Sequence, residues 1–91
     1  MNPSICIPKL EQNINSKFIA TILKKHNLGE IKKIDLIPFK KGQRAFIHFN
    51  RWYNNEKSIK VKNILLSGKD FKIMYIEPWF WKCAYLYKNK K

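Results

Sequence analysis

The sequence is short of acidic residues. Six Asp and Glu face nineteen Lys and Arg among 91 residues, which gives a formal net charge of +13 at pH 7. A charge excess of this size attracts nucleic acid or an anionic membrane surface, and it says little about the fold. Only two of the nineteen basic residues are Arg, whereas reading of individual bases relies on the planar forks of Arg, Asn and Gln. The charge therefore favours a polyanionic partner more than base-specific recognition.

Cysteine is also scarce, and long apolar runs are missing. Cys6 and Cys83 lie near opposite ends of the chain, which is too few cysteines for a disulfide scaffold, and no secretory apolar segment precedes Cys6. We therefore expect reduced thiols and a cytoplasmic location. Because the longest apolar run is far shorter than a membrane span, we expect a soluble protein without a membrane partner.

Motifs for catalysis and for metal binding are missing as well. The two Cys and two His residues show neither C-x-x-C nor H-x-x-x-H spacing, which argues against a zinc site. The sequence has no glycine-rich loop to hold a nucleotide, its acids are scattered, and no Ser-His-Asp order suggests a nucleophile. We therefore expect that the protein is not an enzyme and uses no metal or cofactor.

The sequence does contain a regular succession of strand and helix patterns. Apolar residues with a period of two predict strands at residues 4–8, 30–39, 44–49 and 71–76. Apolar residues at helical spacing predict two helices, the first capped by Asn13 or Asn15 and the second by Asn54 or Asn55. Between the second and third strands, residues 40–43 read as a hairpin loop in which Gly42 supplies a positive φ.

The resulting order, βαββαβ, predicts an α+β fold of the ferredoxin-like type. Its four strands form one antiparallel sheet, and both helices cover the same face of that sheet. We expect one domain over residues 1–78, followed by an aromatic and basic C-terminal extension over residues 79–91. The opposite face of the sheet is then open to a ligand.

The third strand has two chemically different faces, because successive side chains of a strand point to opposite sides of the sheet. One face carries the apolar residues Ala45, Ile47 and Phe49. The other carries Arg44, Phe46 and His48, a cation, an aromatic ring and an imidazole side by side. Such a combination is typical of surfaces on which nucleic-acid bases stack.

The same segment resembles the RNA recognition motif (RRM) family. Residues 45–49 match the last five positions of its octamer K/R-G-F/Y-G/A-F-V-x-F/Y, and Lys41-Gly42 matches the first two, one residue early. Phe46 falls on the second stacking position, and Arg44 on the first, where an aromatic residue is usual. On the first strand, Ile5-Cys6-Ile7-Pro8-Lys9-Leu10 resembles the family's hexamer, with Cys6 in the place of its surface aromatic residue.

The resemblance covers residues 4–77. In addition, the segment Glu77-Pro78-Trp79-Phe80-Trp81-Lys82 resembles short basic RRM-like proteins of large cytoplasmic DNA viruses, a likeness that implies the host cytoplasm or the virion as location. The family resemblance implies single-stranded RNA as ligand, favoured over DNA, with bases stacked on Phe46 and phosphates held by basic residues. The predicted nucleic-acid-binding residues are Phe46, Arg44, His48, Lys33, Lys72, Asp35 and Lys41.

Two questions stay open at this point. Phe46 could pack beneath the C-terminal extension or a partner protein instead of a base. For Trp79, Phe80 and Trp81 we consider, in order, extra core or a fifth strand, partner binding, and base stacking. The alternatives for function are a protein-interaction module that docks by its sheet face or aromatic tail, and a virion protein that binds DNA without sequence specificity.

Overall fold

The computed structural model describes residues 3–76 and 79–85, which form an α+β fold with two helices and a five-stranded sheet. In chain order the elements are β1 (Ile5–Leu10), α1 (Ser16–His26), β2 (Gly29–Phe39), β3 (Gly42–Trp52), α2 (Glu56–Leu66), β4 (Phe71–Ile76) and β5 (Trp79–Tyr85). The strands are arranged as β2-β3-β1-β5-β4, and every pair of neighbours is antiparallel.

The order of the first six elements is confirmed, but the expected four-stranded sheet has five strands. The segment after residue 78 forms β5, which pairs with both β1 and β4 and so lies between them. The physical reason is the alternation of Trp81 and Cys83, both buried in the core, which gives this segment the period of a strand. The expected boundary at residue 78 falls on residues 77 and 78, which lie outside the described part of the chain.

Both helices begin at the predicted type of cap. The Asn15 side chain accepts a hydrogen bond from the Phe18 N–H at 2.8 Å, and the Asn55 side chain accepts one from the Ser58 N–H at 2.8 Å. Gly29 follows Leu28, the last apolar residue of the first helix pattern, and the sequence therefore predicts that Gly29 closes the helix, but α1 ends at His26. Asn27 adopts the left-handed conformation there, with φ 53°, which Asn tolerates better than most residues.

One apolar core lies between the sheet and the helices. It combines side chains from all five strands, α1 and α2, among them the fully buried Ile5, Ile7, Ile47 and Ile73. Burial of each such side chain contributes about 1.5–3 kcal/mol to folding. Since Ala45, Ile47 and Phe49 are all buried in this core, the predicted inward face of the third strand is confirmed.

The β2–β3 turn differs from the prediction that Gly42 takes a positive φ. Lys40 has φ 56° instead, and Gly42 is the first residue of β3. A Cβ atom on residue 42 would lie 2.5 Å from the Leu10 carbonyl oxygen. Glycine is therefore needed at this position because the end of β1 approaches the backbone too closely for a side chain.

Ser58 joins α2 to the turn that follows α1. Its hydroxyl is fully buried and donates to the carbonyl oxygens of Leu28 at 2.8 Å and Asn27 at 3.0 Å. Both acceptors have a second donor, the Tyr53 N–H for Leu28 and the Asn55 side-chain amide for Asn27. Loss of the hydroxyl therefore removes one hydrogen-bonding group without leaving either carbonyl unpaired.

For this reason we expect Ser58→Ala to lower the free energy of unfolding by about 0.5–1.5 kcal/mol, the net contribution of one hydrogen bond. Urea denaturation measures this change. Ser67→Ala is the matched control, since Ser67 donates to the Ile64 carbonyl on the exposed end of α2 and should change stability by less than about 0.5 kcal/mol. Equal losses for the two variants would contradict the role given to Ser58.

Candidate nucleic-acid interface

The sheet surface opposite the two helices is called the open face here. It is built by the residues that alternate with the core residues along each strand. In β2 these are Lys33, Asp35, Ile37 and Phe39; in β3, Arg44, Phe46 and His48; in β1, Cys6; in β5, Phe80, Lys82 and Ala84; in β4, Lys72 and Met74. Six of the seven predicted nucleic-acid-binding residues lie on this face, and Lys41 lies in the β2–β3 turn at its edge.

Phe46 occupies the middle of the open face. Its neighbours in the sheet are Asp35 on β2 and Cys6 on β1, and beyond Cys6 lies Ala84 on β5. The ring is half-buried, and it points away from the helices because the adjacent Ala45 and Ile47 are fully buried in the core. Cys6 and Ala84 are themselves buried, so the ring of Phe46, which keeps part of its surface exposed, is the accessible apolar group at this place on the open face.

Asp35 pairs with Phe46, and its carboxylate draws together the polar side chains of the next residues on this face toward one end of the strands, Lys33 and His48. Its carboxylate lies 3.8 Å from the Lys33 ammonium and 3.4 Å from Nε2 of His48. The three side chains are partly exposed, so these pairs contribute little to stability. They do, however, offset the positive charge of Lys33, which makes this end of the open face less basic than the composition suggests.

Ser4 extends this polar group into a chain of three side chains. Its hydroxyl lies 2.8 Å from Nδ1 of His48, whose Nε2 faces Asp35. The order hydroxyl, imidazole, carboxylate is the one that serine hydrolases use, and the sequence does not show it because the three residues lie far apart in the chain. These side chains lie around His48 on the open face, and acyl transfer would in addition need N–H donors aimed at an oxyanion and a substrate cleft. We interpret it as fixing the ring of His48, with Ser4 donating to Nδ1 and Nε2–H facing the carboxylate.

Phe39 and Arg44 form the opposite, basic end of the open face. The guanidinium carbon of Arg44 lies 3.9 Å from the centroid of the Phe39 ring, and the Lys40 ammonium lies 5.3 Å from the same centroid. The Nε of Arg44 is buried and has no hydrogen-bond partner. Phe39 was not among the predicted site residues, although its period-two spacing from Asp35 and Ile37 was a signal for it.

Beside this pair lies a cleft of about 370 Å³, called the hairpin cleft here, lined by residues 8–10 and 39–44. The end of β1 and the β2–β3 turn both line it. Four of its lining residues are cations and none is acidic: Lys9, Lys40, Lys41 and Arg44. The predicted residue Lys41 therefore shares a concave site with Arg44 instead of lying beside Phe46.

Lys72 lies far from the centre of the open face. We expected its strand to be the last of a four-stranded sheet, but β4 is separated from β3 by β5 and β1. Three strand spacings of about 4.8 Å place it roughly 14 Å from Phe46 across the sheet. Its ammonium instead lies 4.7 Å from the centroid of the Phe80 ring, a second pairing of a cation with an exposed aromatic ring.

The three aromatic residues of the C-terminal segment have different environments. Trp81 is in the core, stacked on Tyr75 with ring centroids 4.6 Å apart and planes 17° apart. For Trp81 the first alternative, core and a fifth strand, is therefore correct, and neither a base nor a partner protein can reach its ring. Trp79 and Phe80 belong to the same strand but are 64% and 45% exposed.

Within residues 3–76 and 79–85, His, Cys, Asp and Glu side chains form no group of three or more that could hold a metal ion. The helices in these ranges are all too short or too polar to cross a membrane. Neither observation adds a site to those already described.

In comparisons with known proteins, no family model, curated protein or solved structure matches the chain. The resemblance to the RNA recognition motif therefore depends on residues 45–49, the hexamer-like first strand and the order of the elements.

The two cysteine side chains lie on opposite faces of the sheet. Cys6 pairs with Ala84 across the β1–β5 ladder, so the adjacent Cys83 points the other way, into the core. Both are free thiols. Burial raises the pKa of Cys6, an effect that the charge of Arg44 opposes, and burial also raises the pKa of Cys83.

We therefore expect both thiols of the folded protein to react slowly with a disulfide reagent in mildly alkaline buffer, because little thiolate is present and the sulfur atoms are covered. In urea, both should react at the rate of a free thiol. The raised pKa values also predict that the free energy of unfolding falls as the pH rises above the ordinary value of 9.0. Rapid reaction of one thiol in the folded protein would contradict the burial of these two side chains.

Proposed function

We propose that this protein is a non-catalytic nucleic-acid-binding protein that holds single-stranded RNA on the open face of its sheet. The orientation of Phe46 carries the proposal, because its ring is directed away from the helices and stays partly exposed at the middle of the open face. An aromatic ring in this position on an antiparallel sheet is a stacking platform for bases. RNA is favoured over DNA because residues 45–49 resemble the stacking strand of the RRM family.

The topology supports a ferredoxin-like, RRM-like fold. Without β4, the remaining elements follow the order βαββαβ. In the sheet, β1 lies between β3 and β5 and pairs with both. This is the arrangement of the split βαβ motif, whose helices share one face of the sheet. In this interpretation β4 is an additional edge strand joined to the last strand of the motif.

The distribution of charge supports a mode of binding in which phosphates are held at the basic end. Arg44 and Lys41 lie there without an acidic residue among the lining residues of the hairpin cleft, whereas Lys33 and His48 face Asp35. Each phosphate neutralised by a cation releases counterions, so affinity for a single strand falls with salt. Phe46 then contributes stacking, and the basic end contributes most of the electrostatic attraction.

We expect Phe46→Ala to weaken binding of a short single-stranded RNA by about 1–3 kcal/mol, the contribution of one stacked base. Fluorescence anisotropy with labelled octauridylate, measured at several salt concentrations, tests this. The dependence on salt should stay at a slope of about −0.7 per phosphate contact in both proteins, since the substitution removes no charge. Ile59→Ala is the control, because Ile59 is an exposed apolar residue of α2, away from the open face.

Unchanged affinity of Phe46→Ala would contradict stacking on this ring. A flat salt profile would contradict the electrostatic part of the proposal. Equal affinity for duplex DNA and octauridylate in a competition assay would favour the alternative of a virion protein that binds DNA without specificity.

A second function, docking of a partner protein, is favoured by one specific observation. Met74, Ile76, Trp79 and Phe80 are large apolar residues of β4 and β5 with exposed fractions between 45% and 64%, and they form two cross-strand pairs, Met74 with Phe80 and Ile76 with Trp79. Exposed apolar surface of this kind often marks a protein interface. Under the leading proposal these residues are separate from the RNA site, because β5 and β4 lie two and three strand spacings, about 10 and 14 Å, from β3.

Trp79→Ala should therefore change the affinity for octauridylate by less than about twofold, well under one stacked base, while Phe46→Ala weakens it. The anisotropy assay described above measures both variants side by side. If Trp79→Ala instead weakens binding as much as Phe46→Ala does, the RNA extends over β5, and the separation of the two surfaces is wrong.

A further inference from the structure

The hairpin cleft concentrates positive charge without compensation. Its four cations are Lys9 at the end of β1, Lys40 and Lys41 in the turn, and Arg44 on β3. No acidic residue lines the cleft. Asp35, the acid of the open face, faces Lys33 and His48 at the other end. Four like charges around one concavity repel each other, and a concave wall of low polarity strengthens their field. A bound anion relieves this repulsion.

Arg44 is the planar cation of the cleft. Its guanidinium carbon lies 3.9 Å from the centroid of the Phe39 ring, while its Nε is covered by the protein and has no hydrogen-bond acceptor. The terminal N–H groups are therefore the ones that a ligand in the cleft can reach. Guanidinium groups bind phosphate oxygens with two parallel hydrogen bonds.

The turn that carries the lysines is strained. Lys40 has φ 56°, a conformation that costs a residue with a Cβ atom and that glycine usually supplies at this place in a hairpin. With this backbone its ammonium lies 5.3 Å from the centroid of the Phe39 ring, at the cleft. Strained residues cluster where a ligand is held, which is consistent with a selected role for the cation at this position.

The size of the cleft limits what it can hold. About 370 Å³ is within the range of small-ligand sites and matches one nucleotide. A phosphate monoester carries a charge of about −1.5 to −2 at neutral pH, whereas each internal phosphate of a nucleic-acid strand carries one. Four uncompensated cations therefore match a terminal phosphate better than an internal one.

We propose that the hairpin cleft binds a phosphate monoester, as the terminal phosphate of a short RNA or of a free nucleotide. Lys9, Lys41 and the guanidinium of Arg44 contact the phosphate, and the Phe39–Arg44 pair lines the space for the attached nucleoside. Binding of the terminal phosphate of an RNA rests on the proposed RNA-binding function. Binding of a free nucleotide does not.

The test compares octauridylate carrying a 5′-phosphate, a 3′-phosphate or no terminal phosphate, by anisotropy with the full chain. We expect one of the phosphorylated strands to bind about tenfold more tightly than the unphosphorylated strand, which corresponds to about 1.4 kcal/mol. Lys9→Gln and Lys41→Gln, both changes of exposed side chains, should remove this gain. Lys25→Gln, on the exposed surface of α1, is the control that removes one positive charge elsewhere. This variant should still bind the phosphorylated RNA more tightly.

Arg44→Lys separates a specific contact from general attraction, because lysine keeps the charge but lacks the planar fork. It should lose most of the gain from the terminal phosphate. A second measurement, thermal unfolding with uridine monophosphate, inorganic phosphate or uridine, does not require strand binding. Uridine monophosphate should raise the midpoint of wild type and Lys25→Gln, uridine should not, and Lys41→Gln should lose the shift.

The outcomes distinguish this proposal from the proposed function. Equal binding of all three strands, together with no shift by uridine monophosphate, overturns the phosphate site and leaves RNA binding on the open face intact. A shift by uridine monophosphate that depends on Lys41, without binding of any strand, supports the cleft and contradicts the RNA-binding function. A gain from phosphorylation that survives Lys9→Gln and Lys41→Gln overturns the assignment to this cleft.

Discussion

The alternation of β3 is the constraint on which the rest of the structure depends. Ala45 and Ile47 are fully buried against the helices, so the residues between them must face the other way. A slip of this strand by one residue would bury Arg44 and His48 and expose the core residues, at a cost of several kcal/mol. Burial of two apolar side chains therefore also determines that Phe46 lies on the open face.

Much of the fold could be predicted because local patterns and burial agree. The period of two in β3 and the Asn caps of both helices act over a few residues, and the structure has them as expected. The position of β5 could not be predicted in this way, because pairing with β1 is a long-range choice among strands of similar pattern. That choice places Lys72 one strand further from Phe46 and Trp81 in the core.

The candidate site was predictable where it depends on one strand and not where it depends on several. Alternation along β3 groups Arg44, Phe46 and His48 on one face, and the pairing of β2 adds Lys33 and Asp35. The division of the open face into a polar end at Asp35 and a basic end at the hairpin cleft comes from side-chain contacts between strands. Sequence spacing carries no information on such contacts, and for the same reason the Ser4–His48 pair was missed.

The most direct test of RNA binding on the open face is a titration of isotopically labelled protein with octauridylate, followed residue by residue by NMR chemical shifts. The largest shifts are expected at the backbone amides of Phe46 and its neighbours on β3 and β2, and at the hairpin cleft, with the exposed side of α2 unchanged. Shifts confined to the helices, or to the exposed apolar residues of β4 and β5, would contradict binding at Phe46.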